Sequence, residues 1–364
     1  VSSAGGGGFT ALRDAGGGGS HNNYLKIHHD LPIYRQLYFN IYWKPFWLPL
    51  RYFILCALCV NGIQYACAQQ DAEYSMYRYN GLYLNPAYAG SHDCFSATAM
   101  YRDQWVKIPG APQSASVALH SPLPDEHIAL GLLYTYDQIG VAKTNTIDAS
   151  FAYRIIAGKR KSVHLSFGIS AGLDNYRADL GSVPTTDPND PSFAGNQQNR
   201  TLFNVGAGFY AYDTNFFAGI SVPRILANKL DGSDALFATS TGVARQYQNL
   251  LATAGYLFNV GKHVKFIPSV LLKWVPAYAP PTMDFNLNFM FIDRLNIGLA
   301  YRLSDSYNFS LAVNVTRQLR VGYSYDLTVS PLSHYTTGTH EVMLGFDADV
   351  MHHKLANPER MIYF

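Results

Sequence analysis

Nucleophilic, metal-assisted and acid–base chemistry each need a few residue types brought together, and this chain offers few such sets. A rim-active lipid hydrolase would need a Ser or Thr hydroxyl beside a His. His120 and Ser121 are neighbours, but adjacent side chains of a strand point to opposite faces, which defeats them as a dyad. His352 and His353 lie in a polar C-terminal stretch, and two adjacent histidines do not make a metal site. Asp187-Pro188-Asn189-Asp190-Pro191 offers oxygen ligands to calcium, but its spacing is not that of an EF-hand, and its prolines equally stiffen a loop. No Cys/His cluster and no phosphate-cradling glycine loop is present. The residue types thus lead to no catalytic residue, no metal and no cofactor, and to a chain that is not an enzyme and has no small-molecule substrate.

The remaining candidates are charges and irregular backbone inside alternating segments. Arg102, Gln104 and Trp105 end one such segment and open a loop. If Ala97, Ala99 and Tyr101 share one face, Arg102 lies on the other, where a charge away from water needs a partner. Asp148, Asp284, Asp326 and Glu341 occupy polar-face positions and complete a candidate charge network with Arg102, as a structural ion-pair set or as a substrate site. Upstream, Asn85-Pro86-Ala87-Tyr88-Ala89-Gly90 fixes an irregular, extended backbone just before the first strand. Asn85, Pro86, Tyr88 and Gly90, with Arg102, Gln104 and Trp105, are candidate partner-binding residues, in a plug or docking epitope; the competing reading is a turn that seals one end of a barrel.

These residues must be positioned by strands. In 163–173, Val163, Leu165, Phe167, Ile169, Ala171 and Leu173 alternate with His164, Ser166, Gly168, Ser170 and Gly172; 284–291 and 319–326 do the same. No segment shows a comparable helical period. Fourteen alternating segments, of roughly nine to thirteen residues, are centred from Thr98 to Leu344, and membrane-spanning strands need about 9–11. Their polar face is rich in Gly, Ser, Thr and Asn. Connections alternate in length. Short ones are Pro122–Glu126, Ala157–Lys161, Tyr212–Thr214, Gly261–Lys262, Ile292–Arg294 and Thr316–Gln318; long ones include Asp103–Ala111, Asn175–Asn199, Pro223–Arg245, Pro276–Pro281 and Thr328–Gly338, with Ser304–Ser306 a short exception. That is the pattern of an all-β, transmembrane, antiparallel up-and-down β-barrel of outer-membrane type with about 14 strands, short turns in the periplasm and lipid outside. Tyr101, Tyr134, Tyr153, Tyr210, Tyr212, Trp274 and Tyr323 fall toward strand ends, where aromatic girdles are expected.

Composition agrees. Of 364 residues, 48% are hydrophobic but only 14% are charged, and the net charge is +2. Disorder needs the opposite balance, and nucleic-acid binding needs a basic surface that is absent. A soluble two-domain β protein is the rival architecture. Residues 52–60 form a short apolar run after Lys44 and Arg51 and before Ala66-Cys67-Ala68, the layout of a secretory signal peptide cleaved after Ala68. Expected boundaries are a leader over 1–43, from a fused linker or a translation start set too far upstream, a signal peptide over 44–68, a periplasmic N-terminal segment over 69–91, a barrel over 92–350 and a tail over 351–364. Of the four cysteines only Cys94 lies beyond the signal, so no intramolecular disulfide is expected after export.

Tyr79-Asn80-Gly81-Leu82-Tyr83-Leu84-Asn85-Pro86-Ala87-Tyr88-Ala89-Gly90-Ser91, then Arg102-Asp103-Gln104-Trp105 and Gly110-Ala111-Pro112, resemble the PorP/SprF family of type IX secretion system membrane proteins. Ser221-Val222-Pro223, Gly322-Tyr323-Ser324-Tyr325-Asp326 and Gly338-Thr339-His340-Glu341 are weaker echoes. The resemblance spans about 70–350, departs from the family's Y-N-P-L at Asn80-Gly81, and leaves Cys94 without a role. It implies a bacterial outer-membrane barrel of the Bacteroidetes secretion and gliding apparatus. It implies partners among periplasmic ring or linker proteins, or a secreted adhesin's C-terminal domain. The alternative function is a diffusion channel or hydrophobic-substrate transporter, with a rim-active hydrolase third.

Overall fold

The computed structural model describes residues 72–125, 127–157, 163–179, 181, 197–228, 246–276 and 281–348. The expected leader and signal peptide, the 187–191 stretch, His352–His353 and most of the 223–245 loop lie outside them.

Alternation produces strands throughout. They are β1 (Phe95–Asp103), β2 (Gln113–Pro122), β3 (Ile128–Ile139), β4 (Ala142–Ala157), β5 (Val163–Asp179), β6 (Gln197–Tyr212), β7 (Phe216–Val222), β8 (Leu250–Tyr256), β9 (Phe258–Asn259), β10 (Val264–Trp274), β11 (Thr282–Phe291), β12 (Leu295–Arg302), β13 (Ser306–Asn314), β14 (Leu319–Thr328) and β15 (Thr339–Ala348). Each of the fourteen expected centres falls in its own strand. β9 continues β8 in the same register against β10. The break has a local cause: Pro268 on β10 has no N–H to give, and the Leu257 N–H bonds Asn215 O instead, at 2.7 Å.

Consecutive staves pair antiparallel, β15 pairs β1, and β10 pairs β11, so the sheet closes on itself as a 14-strand barrel without free edges. The connection between β3 and β4 is only residues 140–141, a second short one on the long-loop side. The strands around it lengthen instead, β5 to 17 residues and β4 and β6 to 16 each, well past the about 9–11 that a bilayer needs.

Outward positions carry Phe167, Ile169, Leu173, Phe309 and Leu344, all exposed, and inward positions carry Ser166, Ser324, Ser96 and Asn204, all buried. Outward apolar side chains suit lipid, where an Arg or Lys near the midplane would cost about 2–4 kcal/mol. Tyr101, Tyr134, Tyr153 and Tyr323 join that outer surface, but Tyr210 and Tyr212 do not: they point into the barrel and are 4% and 2% exposed. The girdle expectation fails for these two because the lumen holds partners for their rings.

The lumen is not an empty polar tube. Residues 72–92 run through it as two 3-10 turns, Tyr77–Tyr79 and Pro86–Tyr88, flanking one helical turn, Gly81–Leu84. Tyr74, Met76, Tyr77, Leu82, Leu84 and Tyr88 of this luminal segment are buried against inward residues such as Met100, Leu133, Leu251, Ile267 and Met343. The hydrophobic core of the molecule therefore lies inside the barrel, between the luminal segment and the wall.

Candidate functional site

The luminal segment enters near the long-loop end and is locked there by charge. On β1, Arg102 is buried and forms ion pairs with Asp326 on β14 (2.7 Å) and Glu341 on β15 (3.0 Å). Ser75 completes the knot: its hydroxyl accepts from Arg102 (3.0 Å) and donates to Asp326 (2.7 Å). The Ser75 and Met76 backbone N–H groups both donate to the Glu341 carboxylate at 2.8 Å. Asn308 donates to Asp326 from the next strand. Register explains part of this set, since Arg102 and Glu341 are direct cross-strand partners.

Glu73 makes a second lock. It pairs with Lys273 on β10 (2.8 Å) and Arg302 on β12 (3.4 Å). Burial pushes the Glu73 carboxyl up, but Lys273 and Arg302 more than offset it and hold the group at about 2. Arg302 also pairs with Asp284 (3.0 Å), its cross-strand partner. Asp284 therefore belongs to Arg302 and not to Arg102. Asp148 joins neither lock; with Ala72, Glu73, Tyr74, Arg224 and Lys273 it lines a small solvent-open pocket between the luminal segment and the wall. The five residues thus separate into the triad Arg102, Asp326 and Glu341, Asp284 paired with Arg302 from outside the set, and Asp148 apart.

Midway down, Asn85 caps the Pro86–Tyr88 turn by accepting from the Ala87 N–H (2.9 Å) and donates to Phe209 O on the wall (2.9 Å). Ser221 donates to Leu84 O (2.6 Å). The wall makes room with glycine. A Cβ on Gly168 would sit 2.2 Å from Ala87 N, and one on Gly208 would sit 2.0 Å from the Asn85 side-chain oxygen.

At the short-turn end the segment is locked again. With its proton on Nδ1, His92 donates to Asp347 (3.1 Å) while Nε2 accepts from the Tyr88 hydroxyl (2.9 Å). Gly90 has φ 75° and donates its N–H to His120 (3.2 Å), and Arg154 on β4 donates to Gly90 O (2.7 Å) and pairs with Asp93 (2.9 Å). The Ser121 hydroxyl turns away to Pro122 O.

A partner docking directly on Asn85, Pro86, Tyr88 or Gly90 would need them exposed, and all four are buried inside the barrel. Gln104 is buried as well, and Trp105, half-buried with φ 52°, donates its N–H to Thr339 (3.1 Å). Val106 next to it bonds Gly338 O (2.9 Å), which folds the first long loop onto the last. Sequence reasoning missed Glu73, Ser75, His92, Arg154, Arg302 and Asp347. Arg302 was recoverable from register opposite Asp284, whereas the luminal contacts follow no periodicity. Among the described residues, no group of three His, Cys, Asp or Glu is placed to hold a metal ion.

Several solved structures are similar to this chain. The Acinetobacter baumannii outer membrane protein Omp33 is 9% identical with a TM-score of 0.42, covering 70% of this chain and 98% of its own. A Pseudomonas aeruginosa FadL homologue is 12% identical (TM-score 0.44; 74% and 94% covered), and the CymD monoaromatic hydrocarbon channel 11% identical (TM-score 0.47; 82% and 97%). No curated protein matches the chain. Residues 66–346 match the family described as type IX secretion system membrane protein PorP/SprF. With that match covering most of the chain, from before the luminal segment into the last strand, the chain belongs to the PorP/SprF family.

Proposed function

We propose that this protein is a non-enzymatic scaffold of the type IX secretion and gliding apparatus. It supports secretion or surface anchoring of a partner through protein–protein contacts, with a periplasmic ring or linker protein or an adhesin C-terminal domain as that partner. The observation that carries this reading is the filled lumen. Residues 72–92 are held at one end by Arg102, Asp326 and Glu341 and at the other by His92, Asp347 and Arg154. A lumen filled by a segment tied to the wall at both ends has little use as an open pore, and the barrel's outward apolar staves suit it to lipid.

The rival reading, a diffusion channel or transporter, draws on the solvent-open pocket beside Asp148. Planar-bilayer recording of the purified full chain separates the two. The scaffold reading expects no large stable conductance, with type IX components co-purifying from detergent-solubilised native membranes. Large, stable openings in the unmodified chain would overturn it.

A further inference from the structure

Strand positions that alternate in phase with the exposed apolar residues face out of the barrel. Among the described strands, those positions carry charge only at Asp103 on β1, Lys143 on β4, and Arg177 and Asp179 on β5. Lys143 and Arg177 are direct cross-strand partners and both are exposed. Like charges placed opposite each other destabilise a sheet. Neither cation has a carboxylate at ion-pair distance among the described residues, and Asp179, the next outward position on β5, reaches neither of them. Arg177 donates through Nε to the Asn175 side chain (2.8 Å), which steadies the guanidinium and leaves its terminal nitrogens for a ligand.

The wall below this pair is layered. Two residues nearer the midplane, Asn145 and Asn175 stand opposite each other, with Thr201 opposite Asn175 on β6. Asn145 accepts from the Tyr134 hydroxyl (2.8 Å), and Asn175 donates to Thr201 and Asn199 (3.2 Å each). Two residues lower again come Ile147, Leu173 and Phe203, each about half exposed. Each step is about 7 Å along a strand. Cation, amide and hydrocarbon thus follow one another in the order in which a lipid presents phosphate, acyl linkage and acyl chain. Elsewhere the long-loop ends of the staves differ. From β10 to β14 their outward positions are Trp274, Met283, Tyr301, Tyr307 and Leu327, which suit the headgroup level without charge.

We propose that this patch on β4, β5 and β6 binds a phosphate-bearing lipid of the leaflet at the long-loop end. Lys143 and Arg177 take the phosphate, Asn145, Asn175 and Thr201 face the acyl linkage, and Ile147, Leu173 and Phe203 take a chain. A phosphate between the two cations replaces their repulsion with charge-assisted hydrogen bonds, for which the arginine fork is suited. The occupant follows from the lipid-facing parity of these staves and from the unpaired cations at the top of them. It is the same whether the barrel works as a scaffold or as a channel.

Native mass spectrometry of the purified full chain in nonionic detergent tests the site, with diphosphoryl lipid A as the probe and its dephosphorylated form and inorganic phosphate as comparisons. Lys143→Gln with Arg177→Gln changes only exposed side chains, and heat-modifiable migration in gels reports that the barrel is folded. The expected result is binding of diphosphoryl lipid A that this double substitution weakens about tenfold or more. The dephosphorylated form should bind more weakly and be indifferent to the substitutions, and inorganic phosphate alone should not bind. Lys262→Gln with Arg294→Gln, exposed at the opposite rim, removes the same charge and should keep the affinity. Equal affinity in the unmodified and Lys143→Gln/Arg177→Gln chains overturns the site, as does an equal loss in the opposite-rim variant, which would make the effect one of net charge. Inorganic phosphate bound as tightly as the lipid would make this a plain anion site and overturn the lipid.

Discussion

Arg102 is one guanidinium serving two buried carboxylates and a hydroxyl that belongs to the luminal segment. Removing it leaves Asp326 and Glu341 facing each other without a counter-charge. Breaking a buried pair in this way typically costs about 3–5 kcal/mol, so Arg102→Ala is expected to lower barrel stability by an amount of that order in reversible urea unfolding from liposomes. Arg102→Lys keeps the charge but loses the fork and should fall between. Glu73 gives a pH signature. Its carboxyl ionises at about 2 in the folded chain against an ordinary 4.5, so its contribution to holding the segment is complete above pH 4.5 and is lost as pH falls through about 2. The barrel should therefore stay closed in conductance from neutral pH to about 4.5 and open only toward pH 2, whereas Glu73→Gln should loosen at neutral pH and show little further acid step. A wild-type chain that opens between pH 7 and 5 would remove Glu73 as the controlling group. At this scale the sequence was half legible. Strand parity placed Arg102, Asp326 and Glu341 on the inner face, but which carboxylate meets which cation depends on register. Register assigned Asp284 to Arg302 and left Asp148 apart.

At the scale of elements, the strands were legible because alternation between lipid and lumen is a strict two-residue code. The luminal segment was not, because its burial comes from Tyr and Met packing that has no period. The inner glycines show the difference. In sequence they read as a small, weakly charged lining; in the fold, Gly168 and Gly208 are where the wall touches Ala87 and Asn85. Gly168 stands opposite backbone atoms, which cannot swing aside. Gly168→Val is expected to displace the segment while sparing the barrel, since valine suits a strand. The expected signs are a heat-modifiable band unchanged in gels, new protease cleavage within residues 72–92, and conductance appearing in bilayers. A variant that stays closed and protease-resistant would show that the segment shifts locally without leaving.

For the whole molecule, the alternation of short and long connections predicts an orientation with short turns in the periplasm, and the path of the luminal segment then predicts where its ends lie. Gly90 and His92 sit at the short-turn end beside His120 and Asp347. Glu73 sits at the opposite end, beside Lys273 and Arg302, each at the long-loop terminus of its strand. The described chain runs along the lumen from Ala72 to His92 before β1 begins, so with short turns in the periplasm Ala72 is expected at the cell-surface mouth. A single cysteine tests this, because the native Cys94 is buried. With the other cysteines replaced, Ala72→Cys should react with a membrane-impermeant maleimide on intact cells, as should Ser330→Cys in the last long loop. Val260→Cys should react only after the outer membrane is permeabilised. Labelling of Ala72→Cys that also requires permeabilisation, with Ser330→Cys still reactive from outside, would mean that the segment enters from the periplasm, and the locks at Arg102 and Glu73 would then have to be rebuilt around a reversed chain.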